Sequence, residues 1–227
     1  MGVRLNVGCG LAVVPGWVNL DNSPSLLIQR NPLLRVIVSL IERGLGRQLY
    51  TRFPSEVYWW DVTRGLPWKD ETVEVIYASH FLEHLPRQQA EDFLREAYRV
   101  LIPRGILRLA LPDLERKAHQ YLGEVHQARL GASSWEKGLP ADNFLRSTLL
   151  GVEVRPSLTR PISFLRALLF REGHLWMWDA PFLILLLRQL GFREVRECAF
   201  RESIIQEVSL LDLESRKDES FYVEAIK

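Results

Sequence analysis

The sequence predicts an α/β fold built on a mostly parallel sheet with helices on its faces, and three observations carry that reading. Short β-branched runs alternate with helical runs through the first half of the chain. The run Gln88 to Leu101 sets Ala90, Phe93, Leu94, Ala97, Tyr98 and Leu101 at helical spacing with acids and arginines opposite, which makes it an amphipathic crossover between strands. The 227 residues suit one domain, with length to spare for insertions around a single core.

In chain order, the first strand is the apolar run Val3 to Val7, ending at Gly8-Cys9-Gly10. The second, Val18 to Leu20, follows after Gly10 to Trp17 alone. That is shorter than the dozen or so residues a parallel crossover uses, so any helix there is limited to about one turn. Ser23 to Glu56 breaks the rhythm and reads as an insertion, with Leu33 to Ile41 at loosely helical spacing and then Gly44, Gly46 and a basic, aromatic stretch. Strands are expected at Val57 to Trp60 and Val73 to Ala78. The crossover helix follows, stopped by Pro103 and Gly105 and leading into the strand Gly105 to Leu111.

A second insertion, Glu115 to Trp178, combines a polar helix around Lys117 to Arg129, a Gly/Ser/Pro-rich middle and the apolar run Ile162 to Phe170. Both insertions are expected to be lids. The chain then gives a helix from Pro181 to Leu190 closed by Gly191, a strand from Arg193 to Phe200 and a last strand from Phe221 to Ile226. For the runs Leu33 to Ile41 and Ile162 to Phe170 the reading ranks burial against the sheet first, pairing with a second subunit in a homodimer second, and contact with a membrane surface third.

With 47% apolar and 25% charged residues, the composition excludes a disordered chain. A formal net charge of +1 does not mark nucleic acid or an anionic membrane as the partner. The only cysteines, Cys9 and Cys198, lie in unrelated segments outside any CxxC pair, which argues against a zinc site and a disulfide framework; no metal is expected, and a cytoplasmic location is. The chain runs from Met1 into the first strand, so no signal peptide is expected. Ala180 to Leu190 is interrupted by Arg188 and Gln189 and falls short of the ~20 residues of a membrane span, so no transmembrane segment is expected either.

Binding groups recur at strand ends. Gly8-Cys9-Gly10 is a turn where missing side chains admit a ligand to the backbone, and Val13 stands where a dinucleotide fingerprint has its third glycine, which counts against NAD. Asp21 follows the second strand, where a carboxylate accepts hydrogen bonds from both hydroxyls of a ribose; it also suits a turn cap before Pro24. After the third strand, Asp61 can take the exocyclic amine of adenine and Val62 can pack on its ring, with a surface loop equally open for Asp61. All three strand ends face one crevice at the carboxyl edge of the sheet.

At these residues the sequence resembles the class I S-adenosylmethionine-dependent methyltransferases, specifically the type 11 group. The matching segments are LNVGCG (5–10), PGWVNLD (15–21), DVTRGLPWKDETVEVIYASHFLEHL (61–85) and FLREAYRVLIPRGILRLALPDL (93–114). The resemblance implies a Rossmann-like, seven-stranded, mostly parallel sheet with an antiparallel C-terminal strand, and S-adenosyl-L-methionine as cofactor. It further implies Gly8, Cys9 and Gly10 beside the methionine and ribose moieties, Asp21 and Asn22 at the ribose, Asp61 and Val62 at the adenine, and Ser79 with His80 at the methionine portion. Two residues depart from the family pattern. Asn6 replaces the usual acidic residue before the first glycine, which weakens or reroutes contact to the cofactor ammonium, and Glu74 replaces an aspartate outside the site.

Methyl transfer aligns an acceptor lone pair behind the methyl group, and a base is needed only where the acceptor carries a proton. His80, His84 and His174 are the candidates. His84 has a competing reading as the start of a helix. Asp179 suits either orientation of the His174 imidazole or the N-cap of the following helix. Trp59, Trp60, Trp68, Trp176 and Trp178 are expected to fill the core ahead of lining a site. The function expected is methyl transfer to a small-molecule acceptor, a glycan or glycan precursor among the candidates. A non-catalytic S-adenosylmethionine-binding pseudo-enzyme is the alternative, motivated by Asn6 and the short first crossover. The chain lacks a Tyr-x-x-x-Lys pair, a basic stripe and an Asn/Asp-Pro-Pro-aromatic tetrad, so neither nicotinamide chemistry nor nucleic-acid methylation is expected.

Overall fold

A computed structural model describes residues 2–46, 48–130, 139–150 and 173–227. Among these, the strands β1 (Val3–Val7), β2 (Val18–Asp21), β3 (Val57–Trp59), β4 (Val73–Ser79), β5 (Leu101–Pro112), β6 (Arg196–Cys198) and β7 (Ser220–Ile226) form one sheet in the order β3-β2-β1-β4-β5-β7-β6. The first five pair in parallel, and β7 runs antiparallel to both β5 and β6. This is the Rossmann-like seven-stranded sheet with one reversed C-terminal strand that the resemblance implied.

Alternation along the strands assigns the two faces. In β4, Ile76 and Ala78 enter the main core, while Val75 and Tyr77 enter a second cluster on the opposite face. The main core is closed by α3 (Arg87–Val100), through Ala90, Phe93, Leu94, Ala97 and Val100, and by α6 (Ala180–Gln189), through Leu183, Leu186 and Leu187. Val14 and Trp17 of the first crossover close the other face, together with Ile205, Val208 and Leu211 from the segment holding α7 (Val208–Leu211).

That first crossover contains turns and not even the single helical turn allowed from the sequence. Its loop is held from inside. Buried Asn6 donates through Nδ2 to Ala12 O at 2.8 Å and to Asn19 Oδ1 at 3.0 Å. Asn19 Oδ1 also accepts from Val14 N at 3.0 Å, and its Nδ2 donates to Val14 O at 3.2 Å and Trp17 O at 3.1 Å. Two side-chain amides thus satisfy backbone groups that helix bonds would otherwise satisfy.

The end of α3 differs from the expected boundary. Pro103 and Gly105 do not stop a helix: α3 ends at Val100 and β5 begins at Leu101. The two residues lie in an irregularity where the register passes from Val73↔Leu101 to Val75↔Ile106. The irregularity accommodates a proline without an N–H, and Arg104, at φ 64°, donates its N–H to Lys227 O at 3.0 Å. β6 is likewise shorter than the expected Arg193 to Phe200.

The first insertion holds α1 (Pro24–Arg30), capped by Ser23, and α2 (Pro32–Leu45), capped by Asn31. Leu26 and Ile28 of α1 are buried, but the expectation that Leu33 to Ile41 buries against the sheet is overturned. Leu33, Val36 and Leu40 are 68%, 56% and 60% exposed, because α1 already covers that edge and α2 stands outside it. The second insertion supplies α4 (Leu114–Arg129) and α5 (Pro140–Thr148), joined by a Tyr121–Phe144 ring contact at 5.3 Å. The run Ile162 to Phe170 lies outside the described residues. No helix of the described residues is long and apolar enough to cross a membrane.

Candidate active site at the carboxyl edge of the sheet

The chain leaves β1 outward through β2 and β3 and returns to β4 on the other side of β1. This reversal opens a crevice at the carboxyl ends of the strands, the usual ligand position of an open α/β sheet. Gly8 and Gly10 follow β1, Asp21 ends β2, Asp61 lies just beyond β3, and Ser79 and His80 lie at the end of β4.

Gly8 and Gly10 take φ values of 64° and 54°, the left-handed region. A Cβ on Gly8 would stand 2.6 Å from the Phe81 ring, whereas a Cβ on Gly10 would meet open space. The first glycine is therefore required by packing, and the second leaves approachable backbone at the crevice. Gly10 N donates to Asp21 Oδ2 at 2.9 Å and Ser23 N to Asp21 Oδ1 at 2.8 Å, so the carboxylate is fixed between two strand ends with lone pairs to spare. Burial raises the Asp21 carboxyl above its ordinary 3.8, against the pull of those two amide bonds.

The neighbouring predicted residues divide by burial. Asn22 is exposed. Cys9 packs with Leu26, Phe53 and Val57, and burial pushes its thiol up to about 12. Asp61 accepts from Thr63 N at 3.1 Å and Thr63 Oγ1 at 2.7 Å, capping the 3-10 turn Val62–Arg64, and Val62 lies in the main core. Trp60, Trp68 and Trp178 belong to the main core or pack on it and Trp59 packs on the Cys9 cluster, as expected of aromatics, whereas Trp176 is 37% exposed with Arg87 over its ring.

Arg216, which gave no signal in the sequence, reaches the end of β4. It donates from Nη1 to Ser79 O at 3.1 Å and to Ser79 Oγ at 2.8 Å, and with Gly8 and Tyr77 it lines a small pocket. It is 137 residues from Ser79 in sequence, so only the fold joins them.

The three candidate histidines converge. His80, at φ 49°, places Nε2 at 2.7 Å from Ser220 Oγ and Nδ1 at 3.6 Å from Glu83 Oε1. His174 Nε2 lies 4.0 Å from the same oxygen. The His84 and His174 rings meet edge to face at 5.1 Å. His84 Nδ1 stands 3.1 Å from Gly173 O, and because a carbonyl only accepts, this nitrogen carries the proton. His84 does not start a helix, since α3 opens three residues later with Pro86 as its cap. Asp179 accepts from Phe182 N at 2.8 Å and is the N-cap of α6, not the partner of His174.

Burial, then the charge of Arg216, brings His80 down to about 3; burial, then His84, brings His174 down to about 4; burial also lowers His84. All three imidazoles are therefore neutral near pH 7. Glu83, quoted in the sequence motif but not singled out as a site residue, is fully buried in their midst, and burial pushes its carboxyl up to about 8.

A family model described as a methyltransferase domain matches residues 38–109, a span that contains β3, β4, α3 and most of β5 together with Asp61, Ser79 and His80. No curated protein matches the chain. Similar solved structures include a SAM-dependent methyltransferase of Thermotoga maritima, at 16% identity and TM-score 0.47, covering 100% of this chain and 83% of that one. Another is a SAM-dependent methyltransferase of Archaeoglobus fulgidus, at 13% identity and TM-score 0.44, covering 100% and 86%. The strand order with its reversed β7 is a Rossmann-like sheet, and the methyltransferase-domain match lies within it over residues 38–109.

Proposed function

We propose that this chain is an S-adenosylmethionine-dependent methyltransferase acting on a small-molecule acceptor. The observation that carries the reading is the Asp21 carboxylate held 2.9 Å from Gly10 N, since a carboxylate fixed at the second strand end beside a glycine turn suits a ribose diol. The open space at Gly10 fits close approach of the cofactor to the backbone. Asp21 accepts from the ribose hydroxyls, Asp61 and Val62 flank the adenine, and Ser79 and His80 stand at the methionine end, where Arg216 offers a cation to the carboxylate. The bound cofactor supplies an electrophilic methyl group.

The chain's own work is to align the acceptor and exclude water. Where the acceptor carries a proton, the imidazoles of His80 and His174 are the bases on offer, weak ones because burial holds them at about 3 and about 4, which favours acceptors whose own proton is easily lost. The reading places the protein in the cytoplasm and does not call on nucleic acid. The two motives for a non-catalytic subunit lose force, because Asn6 and the short crossover serve one buried amide network.

Calorimetry and thermal melts with S-adenosylmethionine, S-adenosylhomocysteine and NAD test the reading. A ligand at about a hundred times its Kd adds roughly 2.7 kcal/mol, or about 5–11 °C of Tm for a chain this size. Binding of the first two that is lost in Asp21→Ala is the expected result. Binding of NAD alone, or of none of the three, would sink it.

A further inference from the structure

The potential ligand atoms of Glu83, His84 and His174 all lie within 4.8 Å of one another. Glu83 is completely buried, and neither of its carboxylate oxygens has a hydrogen-bond partner among the described residues. A buried carboxylate without hydrogen bonds is costly unless a cation or a proton joins it, and the imidazoles of His80, at 3.6 Å, and His174, at 4.0 Å, stand beside Glu83 Oε1. We propose that Glu83, His84 and His174 form a binding site for a divalent transition-metal ion of the zinc class.

Two features of the surroundings support this beyond the donor set. The His84 Nδ1–H is held by Gly173 O at 3.1 Å, which fixes the tautomer and leaves Nε2 with its lone pair free; metal-ligating histidines are commonly oriented in this way. The backbones that carry the donors are tied together: Glu83 O accepts from Leu175 N at 2.8 Å and Trp176 N at 3.2 Å, and His174 N donates to Leu149 O at 3.0 Å. The donors, now within 4.8 Å of one another, have to close to the ~3.4 Å edge of a tetrahedral site when the ion binds.

Two imidazoles and one carboxylate leave a fourth tetrahedral position, the arrangement of an open zinc site. As a site for the acceptor the inference rests on the methyl-transfer reading: an acceptor hydroxyl in the open position would be acidified by the ion, favouring oxygen nucleophiles. Metal binding itself does not depend on that reading.

The test is calorimetric titration of tag-free, chelator-stripped protein with zinc chloride, for the wild type, His174→Ala and Glu83→Gln, each also titrated with S-adenosylmethionine. We expect one zinc per chain, with affinity at least ~100-fold weaker in either variant, since even residues that only orient ligands cost about 10- to 100-fold. The double variant His119→Ala/His126→Ala on α4 should bind zinc as the wild type does, which separates the cluster from surface histidines. Absence of zinc binding, or affinity unchanged in both cluster variants, overturns the site. If those variants do not fold, X-ray absorption of the wild-type zinc adduct decides: two imidazole ligands support the site and oxygen ligands alone overturn it. Zinc binding without S-adenosylmethionine binding would retain the site and sink the methyltransferase reading; the converse would sink the site alone.

Discussion

The Asn6 side-chain amide donates to Asn19 Oδ1 at 3.0 Å across the first two strands, and this buried pair replaces a crossover helix. A carboxylate at position 6 would present only acceptors to the Ala12 carbonyl and to Asn19 Oδ1. Asn6→Asp should therefore destabilise the fold by about 2–3 kcal/mol, the cost of buried polar groups left unpaired. A Tm within 1–2 °C of wild type, against the roughly 4–12 °C decrease that loss implies, would show that the loop does not need the amide.

Arg108 lies fully buried in β5 with Asp212 Oδ2 at 2.6 Å from its Nη2 and Glu224 Oε2 at 3.5 Å from its Nη1. Arg108→Met leaves buried Asp212 without its cation, while Glu224 keeps Arg196 Nη2 at 3.1 Å from its Oε1. Removing one partner of such a pair costs about 3–5 kcal/mol, and denaturant unfolding should read a loss of that order. A loss under about 1 kcal/mol would mean that water reaches Asp212.

Glu96 anchors the loop before β4 to α3, accepting from Leu66 N at 3.0 Å and from Arg99 at 2.7 Å. The Arg99 guanidinium holds the Glu96 carboxyl below its ordinary 4.5. A lowered carboxylate stabilises the fold above its unfolded value and loses that contribution as pH falls through the folded value. Wild type should exceed Glu96→Gln by about 1 kcal/mol at pH 7, with the gap closing below the ordinary 4.5. A gap constant between pH 7 and about 3 would assign it to packing and not to charge.

Leu40 on α2 is 60% exposed. Leu40→Glu should change stability by no more than about 0.5 kcal/mol, as surface substitutions do. A decrease above 2 kcal/mol, read by urea unfolding, would place that face in a buried interface of the folded state.

Much of the fold is legible locally. Strand and helix periods, glycine turns and acids at strand ends are set by residues within a few positions of one another, so β1 to β4, α3, α6 and the crevice residues Gly8, Gly10, Asp21 and Asp61 follow from spacing and the family resemblance. The stop signal at Pro103-Gly105 misleads because a bulge between paired strands absorbs both residues, and the strand pairing that creates the bulge is not local. The apolar spacing of Leu33 to Ile41 gives a helix correctly but not its burial, since that depends on α1 occupying the sheet edge first.

The sequence by itself determined most strands of the sheet and the glycine turn after β1, and the family resemblance added the reversed last strand. Only the tertiary structure decided that Asn6 is part of a loop's internal support, that Arg216 reaches Ser79, and that Glu83, His84 and His174 come within 4.8 Å of one another. The physical reason is distance along the chain. Hydrophobic period and turn chemistry act over a few residues, whereas a hydrogen bond between positions 79 and 216, or a ring contact between 84 and 174, exists only after the sheet has brought its strand ends together.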